Sequence, residues 1–249
     1  MTHVVYGFPS VAETLTIVEA MVKGGASMVE VQIPFSDPMA DGPTIMHANE
    51  IALENGVTPK SCFKGIKELC TRVDIPVLVM TYFNIAFAYR DKASSGLEAF
   101  FREAKSAGVA GFIIPDVPPE ETTEGFWSLA REYQMPIIPL VSPLSSVERL
   151  KTIAAASDGG FVYCVSTTGT TGARRSLPED LTKYLNRVRK IFKRPLALGF
   201  GISQQTHVRA LRGKADIAIV GSAMIDLVER TPAKERAAAV RKFTEELLG

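Results

Sequence analysis

The segment from residue 29 to residue 45, VEVQIPFSDPMADGPTI, places carboxylates where an apolar strand-like run gives way to a loop. Glu30 stands between two valines, and Asp37 and Asp41 follow in the loop. A charged side chain in a strand buried on both faces is costly unless it is paired. The ordinary alternative is an ion pair with Lys or Arg of a neighbouring strand, but none of the strand-like runs contains either residue. We therefore interpret Glu30 as a carboxyl group that performs acid–base chemistry.

Glycine-bearing segments follow three predicted strands in the second half of the chain. They are STTGTTG at 166–172, GFG at 199–201, and GSA at 221–223, which leads into MIDLVER. A strand that ends in Gly-Ser and opens a short helix points backbone N–H groups and the positive end of the helix dipole at an anion. Each glycine alone is better explained as a tight turn. Three such segments after consecutive strands favour a phosphate site.

The pattern of the whole chain predicts a scaffold that brings these strand ends together. Predicted strands cover residues 3–7, 27–33, 75–80, 110–114, 135–141, 160–165, 195–200 and 216–221. Predicted helices cover residues 10–25, 58–73, 96–108, 125–134, 145–157, 178–192, 203–213 and 233–248. This alternation predicts parallel strands with helical crossovers. Eight units in 249 residues predict an α/β fold, a closed (β/α)8 or TIM barrel, as a single domain over residues 1–249.

The site is expected at one end of this barrel. The longest insertions, 34–58, 81–96 and 166–178, all leave the C-terminal ends of predicted strands. In barrels of this type the active site lies at that face, and loops after strands 7 and 8 often bind phosphate. The phosphate site is therefore predicted at the C-terminal face, with Glu30 just below it.

The composition excludes several classes of partner. A hydrophobic content of 46% and a net charge of +1 are ordinary for a globular chain and give no sign of a nucleic-acid or membrane partner. No apolar run has the length of a membrane span. Cysteines and histidines are scattered, which predicts reduced thiols and no metal site. MTHVVYGFPS lacks the features of a secretory signal, so a cytoplasmic protein is expected, or an organellar one if a targeting peptide has been removed.

IPFSDPMADGPTI at 33–45, with Glu30 three residues before its start, resembles the most diagnostic stretch of the tryptophan synthase α-chain family. The resemblance continues in the same order and spacing through MTYFN (80–84), IIPDVPPEE (113–121), TTGTTG (167–172), LGFGIS (198–203) and IVGSAM (219–224). It implies a lyase that cleaves indole-3-glycerol phosphate by retro-aldol chemistry into indole and glyceraldehyde 3-phosphate. It also implies a tryptophan synthase β chain as partner in an α2β2 complex, with pyridoxal phosphate in that chain and no cofactor in this one.

The resemblance also assigns roles to individual positions. It implies that Glu30 is the catalytic acid/base and that Asp41 is the second catalytic carboxylate. The substrate-binding residues that it implies are Tyr163, Met80, Ile113, Phe200 and Ile219. Those implied for the phosphate are Gly172, Gly201, Gly221 and Ser222. Those implied for the interface with the β chain are Asp37, Pro38, Asn84, Phe87 and Pro118.

Other interpretations remain open from the sequence. A free-standing indole-glycerol-phosphate lyase, or a related phosphate-binding barrel such as an isomerase, would use similar residues. A non-catalytic barrel that only activates a β chain is a third possibility, although Glu30, Asp41 and Tyr163 argue against it. Without the surrounding motif, Asp41 would be read as an Asp-Gly turn residue.

Overall fold

The computed structural model describes residues 1–91, 96–120, 125–157, 160–166, 179–199 and 201–249. Its strands are β1 Thr2–Val5, β2 Val29–Gln32, β3 Val77–Met80, β4 Gly111–Ile113, β5 Leu140–Val141, β6 Val162–Val165, β7 Leu196–Gly199 and β8 Ile217–Ile219. They pair in parallel as two ladders, β1 to β4 and β5 to β8. Parallel bridges between Thr2 and Val220 and between Phe112 and Ile137 join the ladders at both edges. The strands therefore close into the predicted (β/α)8 barrel.

The helices connect these parallel strands. They are α1 Val11–Lys23, α2 Pro43–Glu54, α3 Pro59–Arg72, α4 Phe83–Phe87, α5 Leu97–Ala107, α6 Phe126–Glu132, α7 Val147–Ala156, α8 Glu179–Ile191, α9 Gln205–Ala210, α10 Ser222–Arg230 and α11 Arg236–Leu248. Several begin at the capping residues that the sequence suggests. Ser10 accepts a hydrogen bond from the Glu13 N–H, and Thr58 forms a capping box with Ser61.

Three segments differ from the sequence prediction. The insertion 81–96 contains the short helix α4, which was not predicted. The insertion 34–58 contains the helix α2, which was not predicted. It begins at Pro43, a residue suited to the first helical position, and buries Ala48, Asn49 and Ala52. The strand predicted at 135–141 is reduced to Leu140–Val141 and an isolated bridge at Ile137. Prolines at 136 and 139 have no N–H to donate to a ladder, which explains the interruption.

Alternation along the strands separates two apolar layers. Val29 and Val31 pack outward in the large core between the strands and the helices. Glu30 and Gln32, of opposite parity, therefore face the barrel interior. A second apolar cluster fills that interior, and we call it the lumen cluster: Met1, Leu78, Met80, Tyr82, Ile113, Ile138, Phe161, Ala197 and Ile219. The position of Glu30 thus places a carboxyl group against an apolar interior.

Candidate active site

Glu30 lies in β2 and is only 3% exposed. The parallel register sets it beside His3 of β1 and Leu78 of β3. Its Oε1 atom lies 3.3 Å from Nδ1 of His3. Its Oε2 atom is buried and has no hydrogen-bond partner among the described residues. Because a buried carboxylate oxygen without a partner is costly, this carboxyl group is better explained by ligand binding or chemistry than by stability.

His3 is the basic residue that faces Glu30. It is missed when only Lys and Arg of the strands are considered as partners for this carboxyl group. The available signal was its place in the first strand-like run, where alternation can direct a histidine to the interior. Burial by itself lowers the pKa of His3. The charge and hydrogen bond of Glu30 and the charge of Asp41 outweigh that effect, so the pKa is raised overall. The Nδ1 atom of His3 is therefore suited to donate a hydrogen bond to Oε1 of Glu30.

Asp41 lies in the loop between β2 and α2 and reaches back toward β2. Its Oδ2 accepts hydrogen bonds from Nε2 of Gln32 at 2.7 Å and from the hydroxyl of Tyr82 at 3.1 Å. The Tyr82 oxygen in turn accepts from the Ala40 N–H at 3.0 Å. Burial raises the pKa of Asp41, and the contacts with Gln32, His3 and Tyr82 oppose this rise only in part. Gln32 is two residues from Glu30 on the same face of β2, so one strand positions both carboxyl groups.

The residues expected to contact an aromatic substrate converge in the barrel interior. Met80, Ile113 and Ile219 belong to the lumen cluster, and Tyr163 packs against it. Burial, followed by the charges of Glu30 and Asp41, raises the pKa of Tyr163 well above its usual value. Its phenol is therefore neutral at physiological pH and able to donate a hydrogen bond. Phe200, the remaining residue expected to contact the substrate, lies outside the described residues.

The expected phosphate residues lie at the ends of β7 and β8. Gly221 is the N-cap residue of α10, which begins at the exposed Ser222 and has no side-chain cap. Gly201 has a φ of +52°, and an added Cβ would meet no atom within 4 Å. An uncapped helix start beside glycine backbone has the N–H groups and the dipole that favour an anion. Gly172 lies outside the described residues.

The residues expected to face a partner follow β2, β3 and β4. Asp37, Asn84, Phe87 and Pro118 are exposed, and Phe87 retains 47% of its accessible surface. Pro38, in contrast, is buried, so its side chain shapes the loop and is not presented to a partner.

This face is braced by hydrogen bonds. The Asp116 carboxylate accepts from the Phe83 N–H at the start of α4, at 3.0 and 3.1 Å. Nε1 of Trp127 donates to the Pro118 carbonyl at 3.0 Å. The indole of Trp127 thus holds the turn after β4.

Together, these features define a class of protein: a (β/α)8 barrel with a buried carboxyl group, that of Glu30, and an uncapped helix start at the C-terminal ends of its strands. The sequence profile of the family described as tryptophan synthase alpha chain matches residues 1–247. The chain belongs to the tryptophan synthase α-chain family, whose members are enzyme subunits of tryptophan biosynthesis.

Individual relatives give the same result. A tryptophan synthase alpha chain of Desulfotalea psychrophila is 44% identical over 234 residues, which is 94% of this chain and 89% of that protein. One from Chloroflexus aurantiacus is 42% identical over 249 residues, 100% of this chain and 91% of that protein. Among solved structures, a chain of the tryptophan synthase complex from Pyrococcus furiosus superposes with a TM-score of 0.87 at 33% identity, covering 100% of this chain and 96% of that one.

A chain of Mycobacterium tuberculosis tryptophan synthase matches with a TM-score of 0.86 at 32% identity and covers 99% of this chain and 89% of that one. The similarity thus extends over nearly the whole barrel. In the part of the chain that the structure describes, no helix is long and apolar enough to cross a membrane.

Proposed function

We propose that this chain cleaves indole-3-glycerol phosphate into indole and glyceraldehyde 3-phosphate by a retro-aldol reaction. The observation that carries the proposal is the Glu30 carboxyl group, which is buried in an apolar barrel interior with one oxygen unpartnered among the described residues. A carboxyl group in such surroundings suits proton transfer to and from a bound aromatic substrate.

The proton balance of the reaction requires only one such group. The protonated carboxyl of Glu30 donates its proton to C3 of the indole ring, which becomes a cation. The resulting carboxylate then removes the proton of the hydroxyl on the adjacent side-chain carbon. As the bond between the two carbons breaks, its electron pair returns to the ring, and the oxygen forms the aldehyde. Glu30 ends the cycle protonated, as it began.

Asp41 supplies the second role in this proposal. The cationic intermediate carries its charge at the indole nitrogen, so an acceptor there lowers the energy of that intermediate. Asp41 lies on a loop beside the lumen and is aimed by Gln32 and Tyr82. At the opposite end of the substrate, the backbone around Gly221 and Ser222 would hold the phosphate.

Indole release is the direct test of this function. Purified chain is incubated with indole-3-glycerol phosphate, alone and with a tryptophan synthase β chain, and indole is followed by chromatography. The proposal requires slow indole formation by the chain alone and faster formation with the β chain. Absence of indole in both reactions would refute the lyase assignment. Equal rates of indole formation with and without the β chain would indicate a free-standing lyase. Activation of the β reaction without indole release from indole-3-glycerol phosphate would indicate a non-catalytic activator.

We further propose that the exposed face formed by Asp37, Asn84, Phe87 and Pro118 docks a β chain in an α2β2 complex. The face lies beside the active site and combines an exposed aromatic ring, a proline and a carboxylate, which suits a largely preformed, partly apolar interface. Pyridoxal phosphate would belong to the β chain, and this chain would need no cofactor of its own. Indole could then pass between the two sites without entering bulk water.

Substitution of Asp37 by alanine tests this docking face separately from the chemistry. Asp37 is exposed and accepts a hydrogen bond from the neighbouring Ser36 hydroxyl. The variant should need several-fold more β chain for half-maximal activation, while its indole release without β chain stays at the wild-type rate. Glu246→Ala, which removes an exposed acid from α11, serves as the control and should titrate as wild type. Identical curves for all three proteins would remove Asp37 from the interface.

A further inference from the structure

The ring of His3 is enclosed at the edge of the proposed active site. The residue is 4% exposed, and its Nδ1 atom faces Oε1 of Glu30 at 3.3 Å. Its Nε2 atom is buried and has no hydrogen-bond partner among the described residues. The parallel register of β1 and β2 pairs the two residues directly, so backbone geometry holds the side chains together.

The contact makes the two oxygens of Glu30 inequivalent. Oε1 is occupied by the imidazole, whereas Oε2 has no partner in the described part of the chain. A hydrogen bond from an imidazole is strongest when the carboxyl group is ionised. In the proposed reaction, Glu30 is ionised between the first and the second proton transfer. A donor at Oε1 therefore stabilises the state that the reaction must pass through.

We propose that His3 is a positioning residue for Glu30: its Nδ1–H holds Oε1, leaves Oε2 to exchange the proton with the substrate, and stabilises the carboxylate between the two transfers. The imidazole keeps its own proton throughout the cycle, and only Glu30 exchanges one. This inference rests on the proposed lyase function and extends it to a residue of β1.

Other charged and titratable groups surround the pair. Asp41 and Glu30 both raise the pKa of His3 against the effect of burial. Tyr163, on the opposite ladder, stays neutral because its pKa is raised. Burial lowers the pKa of the α-amino group of Met1 to about 6, although Glu30 opposes this shift. Of the two basic groups next to Glu30, the imidazole and the α-amino group, only the imidazole has a pKa that is raised overall.

Two substitutions separate the hydrogen bond of His3 from its charge. In His3→Asn the amide nitrogen occupies the place of Nδ1 and donates to Oε1, but it does not titrate. In His3→Phe both the donor and the charge are lost, while an aromatic ring fills the space. Thr2→Val is the matched control in the same strand. The Thr2 side chain lies on the other face of β1, and its buried hydroxyl has no partner among the described residues.

Indole release is measured as kcat, KM and kcat/KM against pH. His3→Phe should lower kcat roughly 10- to 100-fold with KM within about twofold, because a misplaced carboxyl group slows proton transfer more than it weakens binding. His3→Asn should keep kcat within about threefold of wild type. In both variants the pH profile should differ from that of wild type, because neither Asn nor Phe carries a titrating group at position 3. Thr2→Val should match wild type in every parameter.

A wild-type pH profile and kcat in His3→Phe would overturn the proposal. Equal losses of kcat in His3→Phe and His3→Asn, with a wild-type pH profile, would also overturn it, because that pattern describes a packing role.

A measurement independent of activity completes the test, namely NMR titration of the His3 ring in wild type and in Glu30→Gln. The pKa of His3 should fall in that variant, and an unchanged value would refute the pairing. If the wild-type chain releases no indole but the pKa of His3 still falls in Glu30→Gln, the lyase function is refuted. The contact between His3 and Glu30 is then supported independently of that function.

Discussion

At the scale of single residues, the proposed chemistry depends on two carboxyl groups, those of Glu30 and Asp41. Strand β2 holds both of them, but in different surroundings. Glu30 faces the apolar lumen and touches His3. Asp41 lies closer to solvent and is held by Gln32 and the Tyr82 hydroxyl. Proton exchange with a ring carbon suits the first environment, and acceptance of a hydrogen bond from a cationic nitrogen suits the second. The division of roles that we propose for Glu30 and Asp41 thus rests on the different neighbours of the two carboxyl groups.

Tyr82→Phe should disturb Asp41 without touching Glu30. The change removes the O–H donor to Asp41 and the acceptor for the Ala40 N–H, and both contacts hold the loop. We expect kcat/KM for indole release to fall about fivefold, with the pKa of Asp41 rising further. Tyr89→Phe is the matched control, because the Tyr89 hydroxyl is buried without a partner among the described residues. If the two variants behave alike, the tyrosine hydrogen bond does not orient Asp41.

At the scale of elements, α2 and α10 shape the face that the strands open onto. Asn49 of α2 accepts hydrogen bonds from the Phe35 N–H at 2.9 Å and from Gln32 at 3.4 Å, which ties the loop after β2 to the barrel. The start of α10 lies against β1 and α2, since a Cβ at Gly221 would meet both His3 and Ile45 at 3.8 Å. The proposed phosphate site and Glu30 are therefore neighbours through β1.

Gly221→Asp should abolish the anion site while leaving the fold intact. A Cβ at this position makes only ordinary contacts, and aspartate is a favourable N-cap residue, so α10 should still form. The carboxylate of the introduced aspartate would accept hydrogen bonds from the N–H groups of the first turn of α10, and its negative charge would repel a phosphate. We expect the affinity for glyceraldehyde 3-phosphate, measured by calorimetry, to fall at least about tenfold.

Gly221→Ala provides the control for added volume. It should bind glyceraldehyde 3-phosphate within about twofold of wild type, because a methyl group adds no charge. Unchanged affinity in the aspartate variant would remove the start of α10 from the site. Equal losses in both variants would show that space at Gly221, and not charge, governs binding.

The barrel could be predicted from the sequence, and candidate site residues could be chosen from it, but the pairing of side chains could not be predicted. Alternating apolar runs give the order of strands and helices, and glycines mark the ends of β7 and β8. The contact between His3 and Glu30 depends on strand register, which hydrophobic period does not determine. The burial of Pro38 and the hydrogen bonds of Asp41 depend on how the loop folds back over β2.

At the scale of the whole molecule, the site exists only when the barrel closes. His3 comes from the first strand and Gly221 from the turn after the last, and the bridge between Thr2 and Val220 brings them together. The outer layer closes at the same place, where Glu13 of α1 pairs with Arg236 of α11 at 2.6 Å. Stability of this closure is therefore a condition for the active site.

Glu13→Gln tests that closure through its pH dependence. Burial favours the protonated form of Glu13, but hydrogen bonds from Arg236 and Ser10 outweigh it and lower its pKa below 4.5. A lowered carboxyl pKa contributes stability above the unfolded pKa, and this contribution is lost as the pH falls through the folded pKa. Urea unfolding should show a loss of about 0.5–1 kcal/mol at pH 7 that diminishes as the pH falls through the folded pKa of Glu13.

The surface pair of Arg241 and Glu245 on α11 supplies the control for this measurement. Both side chains are about half exposed and lie one helical turn apart. Glu245→Gln should leave the free energy of unfolding unchanged at either pH, since exposed pairs contribute little. A loss in Glu13→Gln that does not depend on pH would show that the ion pair with Arg236 is not its cause.

The central claim is that Glu30 transfers the protons of the lyase reaction, and Glu30→Gln tests it most directly. The amide preserves size and can still contact His3, but it cannot exchange a proton with the substrate. Substrate affinity and turnover are measured on the same preparation, by calorimetry with indole-3-glycerol phosphate and by indole release. We predict binding within about threefold of wild type and a loss of turnover of at least about 100-fold. Retention of a tenth or more of wild-type turnover by a folded variant would contradict the account.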